Sequence, residues 1–500
     1  LYELVVGDVL TDRDGNDYDG TSYSRIFRLN KYETYENLDG FLAQDADATE
    51  EIGTYTCGRF SVTATLGQSG SIALTSPDAA EAYRAFDLAA YAEKDGREHT
   101  YDLIWLDNNM YVFFVDGIEV HRVGDEYVAP VADTQPATLS LTGEMRVDSV
   151  SVYRYVDLSP FGKHGALHTR GNKLLDSNNQ QYMINGLHIF NGGSELKYCS
   201  YESMKWLRDD WGIDCIRVAS VLDEMGYGEH GIVAGSDDEI AQMKQNIIDA
   251  VDTAESLGMY LIIDWHGLDE SRRYDNPDVT MERADPNLYL PEAKEFFAQM
   301  SERFAACDHV IYELYNEPLS GKGTYPDDYD AAYAYAWQRI KEFSEQLIPI
   351  IRENDPNALI LVPSPSACQQ PQLCAKDPID SENIVYTMHF YAGVHGVWLV
   401  QNTQNALSAG LPVYISEFGR WDDGVLTESD TDYNSMPLWL RSVEKMSLSN
   451  CLFSLGRGDD DRHALLNPSV GDLLSGWTDD QLNPTGRYMR HWYRRQAGLE

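Results

Sequence analysis

No stretch of the 500-residue chain approaches the run of roughly 18 apolar residues that a membrane-spanning helix needs. Basic residues are scarce: 38 lysines and arginines stand against 81 aspartates and glutamates, a formal charge of −43. Nucleic acid and anionic bilayers are bound through a basic face, so both are excluded as partners and a neutral partner is expected. The seven cysteines are scattered, with no C-x-x-C pair and no histidines at zinc-finger spacing, which argues against a structural zinc site. HExxH and carboxylate-rich histidine clusters are missing too, which disfavours a metal hydrolase, and no metal is expected. Cys368 and Cys374 flank "QQPQL" and either bridge or stand as buried thiols. The chain opens at Leu1 without a signal and closes on Leu-Glu; secretion after removal of a signal peptide is the expectation.

What is present divides in two. Residues 1–157 hold short segments rich in Thr, Ser, Tyr and Val, almost without helical period. "MYVFFVDGIEVHRV" reads as a hairpin turning at Asp116-Gly117, and the region as an antiparallel β-sandwich of jelly-roll type. From residue 158 to 500, apolar strands alternate with amphipathic helices, the pattern of an α/β (β/α)8 TIM barrel. Eight strand candidates can be counted: 182–187, 213–219, 259–265, 310–315, 358–363, 384–390, 412–417 and 451–455.

In such a barrel the chemistry sits at the carboxyl ends of the strands. Arg217 lies in the second strand, His266 follows the third, Asn316 and Glu317 the fourth, His389 and Tyr391 belong to the sixth, and Glu417 ends the seventh. Each has a plainer reading: His266 or His389 as a satisfied core histidine, Arg217 as a buried ion-pair partner, a strand-end glutamate as a solvated cap. "GRGDDDRH" (456–463) reads as a solvated acidic loop or a cation loop, and "DRDGNDYDG" (12–20) fails the calcium-loop template. Two glutamates on facing strands, ringed by hydrogen-bond donors, have the composition of a glycosidase site, with one carboxyl to protonate the leaving oxygen and one to attack.

Here residues become resemblance. From about Gly165 to Ala464 the chain resembles glycoside hydrolase family 5, in its bacterial endoglucanase branch, through "SMKWLRDDWGIDCIRVA", "GMYLIIDWH", "VIYELYNEP", "VYTMHFYAGVHG" and "LPVYISEFG" in family order. The resemblance implies a TIM barrel and a cofactor-free retaining mechanism, with Glu317 as acid/base and Glu417 as nucleophile. It also implies Arg217, His266, Asn316, His389 and Tyr391 in the site, and Tyr227, Phe190, Phe453 and Arg457 as substrate contacts. The expected partner is a β-glycan, met by a monomer.

The glucan platform departs from that pattern. The branch's substrate histidine falls at Phe190, its platform tryptophans at Ser194, Ala367 and Phe453, and its lysine at Gly458, beside Arg457. About a dozen extra residues around "GKGTYPDDYDAAYA" follow the acid strand and offer Tyr325, Tyr329, Tyr333 and Tyr335 as new rings. Endo-β-1,4-glucanase is the family default; a branched or short β-glycan, or a carbohydrate-binding pseudoenzyme, are the alternatives. In residues 1–157, "YTCGRFSVTATL" and "YDLIWLDNNMYVFFVDGIEV" resemble family 16 and laminin-G-like sandwiches. "YRAFDLAAY" lacks that family's E-x-D-x-x-E acids, so the domain reads as non-catalytic, for carbohydrate binding or packing.

Overall fold

The computed structural model describes residues 2–6, 23–36, 49–55, 58–67, 70–75, 82–87, 90–91, 95–107, 110–123, 137–157, 159–222, 231–268, 285–319, 328–421, 424–427, 433–459 and 464–500. They form two compact units, Leu1–Lys163 and His164–Glu500. Tyr227, Tyr325, the stretch 12–20 and the end of the 456–463 loop lie outside the described residues. No helix among the described residues is long and apolar enough to cross a membrane.

The first unit is built from two antiparallel sheets. Seven strands run in the spatial order Tyr2–Val6, Tyr23–Glu36, Met145–Asp157, Gly58–Leu66, Glu98–Asp107, Met110–Val115 and Ile118–Val123; four more follow the order Thr49–Tyr55, Ala137–Thr142, Ser71–Thr75 and Ala82–Asp87. Gly58–Leu66 alternates buried and half-buried positions residue by residue, the period of two that a strand with one face on a core must show. Phe60, Val62, Tyr101, Leu103, Trp105, Phe113, Leu139 and Val150 belong to that core. The hairpin turns where expected, with Val115 opposite Ile118 and positive φ at both Asp116 (49°) and Gly117 (78°), which matches the right-handed twist of the strands. The "YRAFD" part of "YRAFDLAAY" lies in the edge strand Ala82–Asp87 of the smaller sheet.

The second unit is a closed barrel of eight parallel strands: β1 (Asn185–Phe190), β2 (Cys215–Val221), β3 (Tyr260–His266), β4 (Val310–Glu313), β5 (Leu359–Pro363), β6 (Ile384–Ala392), β7 (Val413–Arg420) and β8 (Asn450–Leu452). It closes where Asn185, Gly186 and Leu187 pair with Asn450, Cys451 and Leu452. Both faces of each strand are covered, which is why the strands read as near-continuous apolar runs. The helices that cover the outside carry their own stop signals. Asp237–Leu257 starts in a capping box of Ser236 and Glu239 and ends at Gly258 in the left-handed conformation (φ 62°).

All eight expected strands are present, with several ends shifted: β7 runs on to Arg420, and β8 stops at Leu452, three residues short of the expected end. β1 starts three residues later than expected and runs to Phe190, and β4 stops at Glu313, so Asn316, Glu317 and Pro318 stand on the turn after the strand. After Leu314 donates to the Leu361 carbonyl, the ladder ends and the Glu317 amide turns instead to the Gly267 carbonyl, 3.0 Å away. Gly267 allows this approach: a β-carbon there would lie 2.2 Å from the Tyr315 ring.

Candidate active site

Strand periodicity decides which side chains reach the barrel interior. Leu187, Ile189, Ile216, Val218, Leu261, Ile263 and Tyr312 pack in the large core cluster shared with the helices. The residues between them, His188, Arg217, Asp264 and Glu313, bond to one another on the other side of the strands. Arg217 is their hub and is wholly buried. Nε donates to Glu313 Oε2 at 2.6 Å; Nη1 donates to His188 Nδ1 at 2.7 Å and Glu417 Oε2 at 3.1 Å; Nη2 donates to Asn316 Oδ1 at 2.8 Å and ion-pairs with Asp264 Oδ2 at 2.9 Å. Burial opposes the guanidinium charge, but the carboxylates of Asp264, Glu313 and Glu417 outweigh it and keep Arg217 protonated.

Around this hub stand the two glutamates. Glu417 is buried; its Oε1 accepts from the Tyr391 hydroxyl at 2.6 Å, so both of its oxygens are held by donors. Burial and the neighbouring Glu417 raise the Tyr391 phenol well above its usual range and keep it a donor. Tyr391 comes this close because position 419 is glycine, where a β-carbon would lie 2.8 Å from its ring. The Glu317 side chain is 17% exposed, and burial pushes its carboxyl up to about 7. His389 Nδ1 is 2.9 Å from Glu317 Oε1 and its Nε2 is 2.9 Å from Ser416 Oγ. Burial lowers His389 to about 4, so it is neutral, and the Ser416 hydroxyl, donor or acceptor, suits either tautomer. One ligand atom each from Glu317, His389 and Glu417 falls within 4.8 Å of the others. The electrostatics are asymmetric: Glu417 lies directly on Arg217, while Glu317 has neutral His389.

His266 bonds Asp264 Oδ2 through Nδ1 at 2.6 Å, and burial lowers it to about 4. The structure therefore brings Arg217, His266, Asn316, Tyr391 and Glu417 into one bonded network, with the Glu317–His389 pair beside it. Phe190 and Phe453 join it as rings. Phe190 meets His188 edge-on at 4.6 Å and His266 at 5.5 Å, and Phe453 meets Phe190 at 5.8 Å and Tyr391 at 6.2 Å. Arg457 is turned elsewhere: its Nη1 donates to the Gly471 carbonyl and lies 3.9 Å from Asp472. Cys368 and Cys374 are free buried thiols, not a bridge.

Of the altered platform positions, Ser194 is exposed, Ala367 is half-buried and Phe453 is buried. Ala367 sits in a left-handed turn with Ser366 and Cys368 (φ 51°, 62° and 59°), its N–H on the Pro318 carbonyl at 3.1 Å. Tyr329 and Tyr333 pack against each other at 6.0 Å at the start of helix Tyr329–Asn354. Several residues escaped the sequence reading, Asp264, Glu313 and Ser416 among them. His188 precedes Phe190 by two and so shares its strand face, a signal the period of two carried. Trp421, four residues past Glu417, is 37% exposed and meets the Tyr391 ring edge-on at 5.7 Å. Trp398 is 43% exposed and packs against His395, whose Nδ1 accepts from the Tyr391 amide.

The family model for cellulase (glycosyl hydrolase family 5) matches residues 175–459. The chain is 34% identical over 310 residues to endoglucanase A of Evansella cellulosilytica, covering 61% of this chain and 54% of that one. It is 33% identical over 331 residues to endoglucanase A of Butyrivibrio fibrisolvens, covering 65% and 68%. The chain thus spans about half the length of the Evansella enzyme. Among solved structures, the catalytic domain of a Thermobifida fusca endoglucanase superposes with a TM-score of 0.53 at 24% identity, over 67% of this chain and 99% of that domain. This last likeness shows the barrel fold.

Proposed function

Since the chain belongs to glycosyl hydrolase family 5, we propose that it is a retaining hydrolase of β-linked glycans in which Glu417 is the nucleophile and Glu317 the acid/base. The observation that carries this is the approach of the two carboxyls, with ligand atoms within 4.8 Å. Inverting enzymes leave room for a water between carboxyls about 6.5–9.5 Å apart, whereas retaining pairs stand at about 5–5.5 Å. In the first step a Glu417 oxygen bonds the anomeric carbon as the glycosidic bond breaks, and protonated Glu317 gives its proton to the leaving oxygen. In the second, Glu317 takes a proton from water, which attacks the same carbon and frees Glu417. Arg217 and Tyr391 hold the attacking carboxylate, and Asn316, its Oδ1 engaged by Arg217, is left with its amide donors for the sugar 2-hydroxyl. The test is the anomer of the first product by NMR: β retained is expected, and inversion refutes the mechanism.

The substrate is a neutral β-glycan. The endoglucanase relatives favour a β-1,4-glucan, while the missing tryptophan faces at Ser194, Ala367 and Phe453 favour a branched or shorter chain, for which half-exposed Trp421 and Trp398 offer other stacking faces. Such a polymer stays outside the cell, so we place the enzyme there, as a monomer. Its sandwich unit is non-catalytic, serving carbohydrate binding or packing.

A further inference from the structure

His188 lies on β1 directly opposite Arg217 of β2 in the strand register. Its Nδ1 faces Arg217 Nη1 at 2.7 Å, and a guanidinium nitrogen can only donate, so Nδ1 is the acceptor and the ring proton sits on Nε2. That Nε2–H is buried and meets no acceptor among the described residues. A histidine serving only to fill space would not strand a buried donor, since an unmet buried N–H is a cost. What the arrangement gains is the Nδ1 bond. The Nη1 group has two hydrogens and two acceptors, His188 Nδ1 and Glu417 Oε2, and the remaining guanidinium nitrogens are occupied by Glu313, Asn316 and Asp264. The imidazole is wedged among the rings of Phe190 (4.6 Å), Phe453 (4.9 Å) and His266 (5.5 Å), so the acceptor cannot swing away.

We propose that His188 is a positioning residue for the nucleophile: by accepting one Nη1 hydrogen of Arg217 it aims the other at Glu417. The inference rests on the assignment of Glu417 as nucleophile. Burial and the Arg217 charge keep the imidazole far from protonation, so the acceptor is present across the working pH range. Glu313 and Asn316 set the tilt of the guanidinium from one side, and His188 sets it from the other.

The experiment uses the full chain and 2,4-dinitrophenyl β-cellobioside, whose leaving group needs no proton from Glu317. His188→Phe keeps the ring and deletes the acceptor; His188→Asn deletes the ring and puts Oδ1 near the place of Nδ1. With rates referred to protein shown folded by its thermal transition, H188F should lose roughly 10–100-fold in kcat with KM changed less than about threefold, and H188N should stay within about fivefold of wild type. If H188F does not fold, H188Q, which moves the acceptor one atom outward, takes its place with the same expected loss. A kcat for H188F near wild type, or an H188N variant no better than H188F, overturns the positioning role alone. A wild-type enzyme inert to this glycoside, or an active Glu417→Gln, overturns the assignment of the nucleophile and the inference with it.

Discussion

The hydroxyl of Tyr391 and Oε1 of Glu417 stand 2.6 Å apart, and the phenol keeps its proton throughout the working range. If Glu417 is the nucleophile, as proposed, a charge-assisted bond of this kind stabilises the carboxylate both before attack and as it leaves the glycosyl ester. Tyr391→Phe should lower kcat by roughly 10–100-fold, the worth of one hydrogen bond to a charged group. Since Glu417 keeps Arg217, the variant should remain a retaining enzyme, which NMR of the first product checks.

The two glutamates should separate by leaving group. Glu317→Gln should spare dinitrophenyl glycosides and lose roughly 100-fold or more on substrates whose leaving alcohol needs a proton. Glu417→Gln should abolish all hydrolysis by the full chain, mixed-linkage glucan included. Residual cleavage of that glucan in the Glu417→Gln protein would place a second active site in residues 1–163.

The pH profile follows from burial of the acid. As the proposed acid, Glu317 would have to carry its proton to act, and burial holds that proton up to about 7. On unactivated glycans kcat/KM should therefore fall above pH 7, by about tenfold per unit once well past it. With dinitrophenyl glycosides, measured in the glycosylation step, the same limb should be absent.

Stability has the opposite leaning. The folded carboxyl of Glu317 holds its proton up to about 7, against 4.5 ordinarily. Between those values the folded state binds the extra proton, so this group's contribution to stability falls as pH rises through that window and stays low above it. Glu317→Gln should then stabilise the protein by about 1–3 kcal/mol at pH 8 and by little at pH 4. Thermal unfolding at the two pH values is the measurement.

Substrate choice is read from stacking faces. On the proposed reading, three lost faces at about 1 kcal/mol each would weaken binding of a flat chain by roughly a hundredfold. Specific activity on carboxymethyl-cellulose should fall below that on at least one of barley β-glucan, xyloglucan, arabinoxylan and β-mannan. Trp421→Ala should raise KM on the preferred polymer more than on an aryl glycoside. A clear preference for carboxymethyl-cellulose would return the substrate to the family default.

Much of the barrel was legible before the structure, because strands covered on both faces leave unbroken apolar runs and each of the eight such runs is a strand. Glu317 and Glu417 stood out only as a pair: either alone reads as a solvated cap, but two carboxylates on facing strands among hydrogen-bond donors have the composition of a glycosidase site. Less visible was how the site is wired. Asp264 and Glu313 lie inside apolar runs, and only the spatial convergence of β2, β3 and β4 reveals that both serve Arg217. Asn316 and Glu317 read as following a strand that runs to Tyr315, while the ladder ends earlier, after Glu313, and the turn is held by Gly267. His188 was overshadowed by Phe190, the aligned position. Arg457 read as a rim residue by adjacency in sequence, yet the carbonyl of Gly471 draws it off.

The thiol of Cys368 lies 3.1 Å from the carbonyl of Asn316 and 3.1 Å from the Thr387 hydroxyl, fully buried, with burial raising it far above the range in which thiolates form. It is thus a built-in stopwatch for the turn that carries the acid. While the turn is closed, no alkylating reagent meets a reactive sulfur. An opening of the turn would expose one for as long as it lasts, and the rate at which Cys368 itself, told apart from Cys374 six residues on, gains mass would count such openings.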